Sequence, residues 1–451
     1  MKNEEMMKSG SVWKAIASMA IPSAVIMILM IFYNIADMFF IARLGDNAQV
    51  AAVSVVSPVF SIMSAIAMML GNGGCTMIAK AFGAGEKDKA KTYSSLCMWT
   101  AIVLAVVFIV LALTFVDPLL AFLGAKGDVA LYAKKYMIPI VLGSPFMMIS
   151  TSVALLLRAE GAVMEGFCGN LIGTVVNLIL DPIFILVFHW GVAGAALASV
   201  AGNALATFYY SYVISKKSQA MSFSLKYARK DVGAIGHILI LGLPNAIASI
   251  LSGFASTFSN QILSGYGTDA LAAMAAAGKC TMIATTLVMA VGMGCQALIS
   301  YNYGAQNIPR LKEVVRKLSI LVFAISIVAG AFCFLFRKVI MAQFLTTDVL
   351  DLGVHMVTIL LLTSPIIGVV YLVSGYFQAI DRPMESLVVS ILRQGLLLIP
   401  ALYICNRLSG LDGVVCRCHQ YDRCPDRLSN AKKPLYYKVK IKLLALILNE
   451  C

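Results

Sequence analysis

Apolar runs of about 20 residues recur along most of this chain, and each is long enough to cross a bilayer as a helix. That feature limits the fold more than any other. In hydrocarbon a backbone must satisfy its own hydrogen bonds, so the runs are expected to be transmembrane helices. Composition agrees. Of 451 residues 60% are hydrophobic and 13% charged, with mean hydropathy +0.88. A soluble domain would carry roughly a quarter charged residues. There is little room for a separate soluble domain. The polar start, MKNEEMMKSGSVWK, lacks the pattern of a signal peptide, so the first helix is expected to remain in the mature protein.

Eleven clear spans centre near residues 28, 64, 104, 143, 175, 204, 250, 285, 325, 364 and 395. Basic residues follow every second span: Lys87, Lys89 and Lys91, then Arg158, then Lys216, Lys217, Lys226, Arg229 and Lys230. Arg310, Lys312, Arg316 and Lys317 follow the eighth span, and Arg382 the tenth. This asymmetry puts the N-terminus and the even-numbered loops in the cytoplasm. It also accounts for the net charge of +13 without nucleic acid. Cys75, Cys97, Cys168, Cys280, Cys295 and Cys333 lie in or beside apolar runs and read as small buried hydrophobes.

The two halves resemble each other at a separation of about 220 residues. "IPSAVIMIL" from Ile21 parallels "LPNAIASIL" from Leu243, and "LGNGGCTMIAKAFGAGEKDKAK" from Leu70 parallels "VGMGCQALISYNYGAQNIPRLK" from Val291. "RAEGAVME" from Arg158 parallels "QAIDRPME" from Gln378, and "GVAGAA" from Gly191 parallels "GLDGVV" from Gly410. Six spans separate matching points, so both copies run the same way through the membrane. The expected fold is an all-α polytopic membrane protein of two parallel six-helix repeats around a central cleft. Its parts are a lobe at 1–215, a cytoplasmic linker at 216–232, a five-span lobe at 233–415 and a polar tail at 416–451.

Polar residues inside the spans are costly there and mark the candidate site. Asp37 has Asn34 three residues before it, and Asp181 has Asn177 four residues before it, each pair on one helix face. Pro182 removes the donor that would serve the Leu178 carbonyl and is expected to bend its helix. Ser199 could add a hydroxyl. Together these are hard oxygen donors of the kind that H⁺ or Na⁺ needs. Arg158 and Glu160, at the end of the fourth span, form either a local ion pair or part of the coupling machinery. Arg393 lies inside the eleventh span and needs a carboxylate, carbonyls or water. Lys279 is shallower and can snorkel. Methionines at 63, 68, 69, 147 and 148 can shape a permissive cavity or simply fill the core. No phosphate-binding GxxxxGK[ST] loop and no HExxH occurs. The chain therefore reads as neither an enzyme nor a self-contained ATP-driven pump, without cofactor or resident metal, and transport must draw on an ion gradient or on a partner's energy.

These segments resemble the multidrug and toxic compound extrusion (MATE) family, in its bacterial MepA- and DinF-like branch. The residues that carry the resemblance are "IPSAVIMILMIFYNIADMFFIARLG", "LLLRAEG", "NLILDPIFI", "GVAGAALAS", "QALISYNYGA" and "ILRQGLLLIP", which span residues 20 to about 415. The resemblance implies twelve helices in two bundles and export of amphipathic, often cationic compounds in exchange for H⁺ or Na⁺. It implies a first-lobe cation site at Asp37, Asn177, Asp181 and Ser199, the last a serine where a threonine is usual. It ties Glu160 to activity and leaves Asn34, Arg158 and Arg393 as coupling or gating candidates. The implied setting is a monomer spanning the bacterial plasma membrane. One alternative is a flippase for lipid-linked oligosaccharides from the same superfamily, which would want a more basic cavity.

The end of the chain departs from the pattern. After "GLDGVV" comes "CRCHQYDRCPDRLSNAKKP", from which no bilayer helix can form. Cys416, Cys418, His419 and Cys424 invite a zinc reading, but their spacing matches no standard site. The stronger reading is a frameshift after Val415, and the remaining alternative is an inactive frameshifted paralogue. A one-base shift there permits an apolar continuation suited to a twelfth span. The chain as written should then export poorly or be degraded, and the restored frame should rescue it. Efflux and abundance compared between the two versions decide this. Full activity of the chain as written would make the tail a genuine feature.

Overall fold

The computed structural model describes residues 2–42, 47–345, 347–362 and 364–393, and no strand occurs among them. The tail from 416, with its four candidate zinc ligands, lies outside the described residues. In chain order the helices are α1 (Lys2–Lys8), α2 (Val12–Ala42), α3 (Asn47–Gly83), α4 (Lys87–Thr114) and α5 (Val116–Phe122). Then come α6 (Asp128–Leu142), α7 (Ser144–Leu156), α8 (Val163–Pro182) and α9 (Gly191–Lys216). A short α10 (Leu225–Ala228) precedes α11 (Ala234–Ser264), α12 (Thr268–Gly294), α13 (Gln296–Gly304) and α14 (Ile308–Leu335). The described chain closes with α15 (Arg337–Ala342), α16 (Thr347–Leu362), α17 (Ser364–Ala379) and α18 (Pro383–Ile391).

Seven of the described helical stretches are long and apolar enough to span a membrane, or eight if α6 and α7 count as one. This is the all-helical membrane fold that the apolar runs predict. Val103, Val106, Val107, Val110 and Leu111 of α4 are exposed together. Such a stripe is intolerable in water and natural against lipid.

The span centred on residue 143 is broken. α6 and α7 meet there at 55°. Pro145 stands in the first turn of α7, lacks an amide donor and restricts the residue before it, so the preceding helix stops at Leu142. α8 ends at Pro182 and passes into a π-helical turn, Ile183–Val187. Loss of the proline donor favours such a widened turn.

The described helices fall into two compact units. The first comprises the chain up to Ser249, Ala290–Ala305 and Val373–Leu387. The second comprises Ile250–Met289, Gln306–Leu372 and the segment from Val388. In the second unit α12, α14, α15 and α16 enclose a core that includes Ala273, Ala277, Cys280, Cys333, Met356 and Leu360.

Close approach through small residues organises the first unit. α8 lies along α9, and α2 along α8. A Cβ at Gly202 would overlap the carbonyl oxygen of Gly173, and one at Gly173 would sit 3.1 Å from the Gly202 oxygen. Helices in lipid associate through such packing and through interhelical hydrogen bonds. Tyr210 Oη donates to Gly166 O at 2.9 Å, and Ser152 Oγ donates to Ala67 O at 2.9 Å. Farther along, α3 meets α13 backbone to backbone. A Cβ at Gly83 would strike the Tyr301 carbonyl, and one at Gly304 would strike the Lys80 carbonyl. Gly83 and Gly304, like Lys80 and Tyr301, are matching positions in the sequence repeat.

Gly202→Val should force α8 from α9. Overpacking of this kind costs about 1–3 kcal/mol. The expected result is a lower Tm in detergent, with a smaller drop for Gly202→Ala. An unchanged Tm for the valine variant would contradict the packing account.

Candidate functional site

The α8–α9 contact brings together residues that the sequence separates. Asn177 and Asp181 lie one turn apart on α8, and Ser199 faces them from α9. All three are buried, Asp181 completely. Asn177 Nδ2 is 3.4 Å from Asp181 Oδ1 and 3.2 Å from Ser199 Oγ. Turning the amide over, which its shape permits, shortens the contact to Asp181 and adds one from Ser199 N. Its nitrogen then donates to Asp181 Oδ2 at 2.9 Å, and its oxygen accepts from Ser199 N at 3.1 Å and Ser199 Oγ at 3.2 Å. This second orientation satisfies donor and acceptor alike, and we adopt it.

A buried carboxylate, an amide oxygen and a hydroxyl in one corner are chemically suited to two tasks. They can contribute oxygen ligands to Na⁺, or Asp181 can take up a proton. Asn34 and Asp37 lie on the helical backbone of α2, which packs along α8. Their side chains fall outside the described residues.

Asn177 and Ser199 of this corner form part of the wall of a cavity of about 210 Å³, with Asp181 buried behind them. Phe60, Met63, Met68, Met147 and Met148 supply its apolar wall. Asn170, Asn177, Ser199 and Asn203 supply its polar wall. No lysine, arginine or carboxylate is among its described lining residues. Asn203 and Ser150 are site residues that the sequence reading missed. Ser150 Oγ donates to Asn203 Oδ1 at 2.8 Å, and Asn203 Nδ2 donates to Ser199 O at 2.9 Å. The signal was present in "SVAGNALAT", where Ser199, Asn203 and Thr207 recur every fourth residue on one helical face.

Arg158 and Glu160 share a buried 3₁₀ turn, Leu157–Glu160, that ends in Gly161 at φ 75°. They do not form the local ion pair that the sequence allowed. Glu160 Oε2 instead accepts from Ser218 Oγ at 3.0 Å, Gln219 N at 3.2 Å and Ala220 N at 3.1 Å. It therefore grips the start of the segment that joins the two halves of the sequence. Arg158 lies among Cys75, Tyr210 and Cys295. Arg393, in the second unit, stacks its guanidinium over the Tyr371 ring at 4.5 Å. Lys279 lies over Phe344 at 5.4 Å. An aromatic face thus supports each of these two cations.

A model of the MatE family matches residues 22–183 and 244–404. The multidrug export protein MepA of Staphylococcus aureus (strain MSSA476) is 29% identical over 418 residues, covering 92% of each chain. A crystal structure of a MATE protein in complex with MaD3S aligns at TM-score 0.87 and 24% identity, over 92% of this chain and 94% of that one. A multidrug resistance transporter of the MATE family, in an outward-facing conformation, aligns at TM-score 0.87 and 22% identity, over 99% of both chains.

Proposed function

The chain belongs to the MatE family, and on that premise we propose that it is a multidrug exporter driven by a cation gradient. It moves amphipathic, often cationic small molecules out of the cell and takes H⁺ or Na⁺ in return. The observation that carries this reading is that Asn177 and Ser199, in the wall of a methionine-rich cavity, are hydrogen-bonded to each other, and Asn177 to the buried Asp181 behind them. One small volume thus offers an apolar surface to a drug and oxygen atoms to a cation. Methionine surfaces re-pack around varied ligands. An ion that must neutralise Asp181 and a drug that must enter beside it compete through charge and space. That competition, with the cavity opening alternately to the two membrane faces, exchanges one for the other.

The absence of lysine and arginine from the described cavity lining speaks against a phosphate-bearing lipid-linked substrate, and so against a flippase. In this reading the chain is a multi-pass plasma-membrane protein with its N-terminus and basic linker in the cytoplasm. The distribution of Lys and Arg supports that orientation.

Asp181→Asn should leave the protein in the membrane and reduce gradient-driven drug efflux at least about tenfold, because the ionisable group is gone. Efflux of a fluorescent cationic dye from energised cells, normalised to membrane abundance, is the measurement. Wild-type efflux from this variant would remove Asp181 from the mechanism.

A further inference from the structure

Three segments far apart in the sequence meet at one carboxylate in the first unit. Asp381 sits in the turn between α17 and α18 with its backbone in the left-handed region, φ 67°. That conformation is uncommon for a residue other than glycine, though aspartate tolerates it better than most. One carboxylate oxygen, Oδ2, accepts from Lys80 Nζ on the last turn of α3. The other, Oδ1, lies 2.6 Å from His237 Nε2 on the first turn of α11. Asp381 is 19% exposed, Lys80 37% and His237 44%. The carboxylate is thus sheltered while its partners reach water. Pairs so placed hold better than fully exposed ones.

The surroundings give this contact a purpose. The Lys80 carbonyl abuts Gly304, and its ammonium group lies 5.7 Å from the centre of the Tyr303 ring, both on α13. Lys80 is therefore where α3, α11, α13 and the 380–382 turn converge. α3 belongs to the first sequence repeat and the other three to the second. Two further contacts cross between the repeats nearby. Gly242 of α11 meets the Met69 carbonyl of α3, and Cys295, fully buried, has its Sγ 3.9 Å from Ile16 O of α2. Matching positions in the first repeat cannot make a similar contact, because Gly161 stands where Asp381 does and Ala15 where His237 does. The contact is particular to the second repeat and is not imposed by symmetry.

We propose that Asp381 is the latch of this end of the molecule. Its carboxylate ties Lys80 of the first repeat to the second-repeat helices, and it must release Lys80 before α3 and α13 can part. Asp381 is not among the described lining residues of the cavity, so it acts by position. The inference rests on the alternating-access part of the reading above. The test is run without drug or gradient, so its failure is distinct from a failure of transport.

The reporter is the native Cys295, which is covered by the first-repeat helix α2. Purified full-length protein in lipid nanodiscs is treated with a membrane-impermeant maleimide, and each cysteine's labelling rate is read by peptide mass spectrometry. Asp381→Asn and Lys80→Gln should each raise the Cys295 rate, on the order of fivefold for the loss of one such contact. The double variant should be no faster than Asp381→Asn alone, because that variant already removes the Lys80 contact. Cys280 and Cys333, buried in the second unit, should stay unreactive throughout. If Asp381→Asn also exposes those two, it has unfolded and Lys80→Gln alone decides. An unchanged Cys295 rate in a folded single variant overturns the latch. So do single effects that multiply in the double variant.

Discussion

Full burial of the Asp181 carboxylate is the constraint on which the rest of this structure turns. A charge in a membrane span costs about 2.5–3.5 kcal/mol on insertion scales unless it is partnered. The partner of Asp181, Asn177, comes from one turn earlier on α8 and is itself held by Ser199 of α9, which it meets only if those helices nearly touch. The Gly173–Gly202 crossing provides that approach, and a Cβ at Gly202 would lie 3.4 Å from the Asn177 Cβ. Packing and polarity are thus one arrangement. The small residues that hold the helices together also set the distances at the site. The ladder of Ser199, Asn203 and Thr207 continues the polar face along the cavity and joins it to α7 through Ser150 and Phe146.

At the far end of the same unit, closure depends on backbone approach backed by charge. Glu160 and Asp381 lie one position apart in the repeat register, yet they hold different things. Glu160 secures the joining segment through two backbone amides and a serine hydroxyl. Asp381 holds a lysine and a histidine side chain from different helices. A carboxylate served by backbone donors is fixed along with the chain that it binds. One served by long side chains can let go without any rearrangement of backbone. The first is suited to a permanent anchor and the second to a contact that opens and closes.

The sequence revealed some of this for clear physical reasons. Apolar length gives spans directly, so the all-helical membrane fold was legible. Asp181 with Asn177 was legible because the four-residue spacing is local to one helix, and because a carboxylate in a greasy run stands out. The broken span at Gly143 was missed because hydropathy averages over the break, although Ser144–Pro145 marks it and recurs at Ser364–Pro365. Of the two readings left open for Arg158 and Glu160, the local ion pair does not form, because adjacency along a turn does not fix side-chain direction once Gly161 reverses the chain. Lys80, His237 and Asp381 could not have been grouped from the sequence. Each sits near a helix end, where a charge draws no notice, and only the fold brings them together. The side chains of Asn34 and Asp37, together with the tail from 416, fall outside the described residues.

The central claim is that a cation and a drug exchange through one cavity wall. The most direct measurement is simultaneous drug flux and cation flux, H⁺ and Na⁺ each followed separately, in proteoliposomes with an imposed gradient. The account predicts that drug moves one way only as H⁺ or Na⁺ moves the other, and that collapsing the coupled gradient stops both. Drug flux that continues undiminished with both gradients collapsed, and with no counter-movement of either ion, would contradict it.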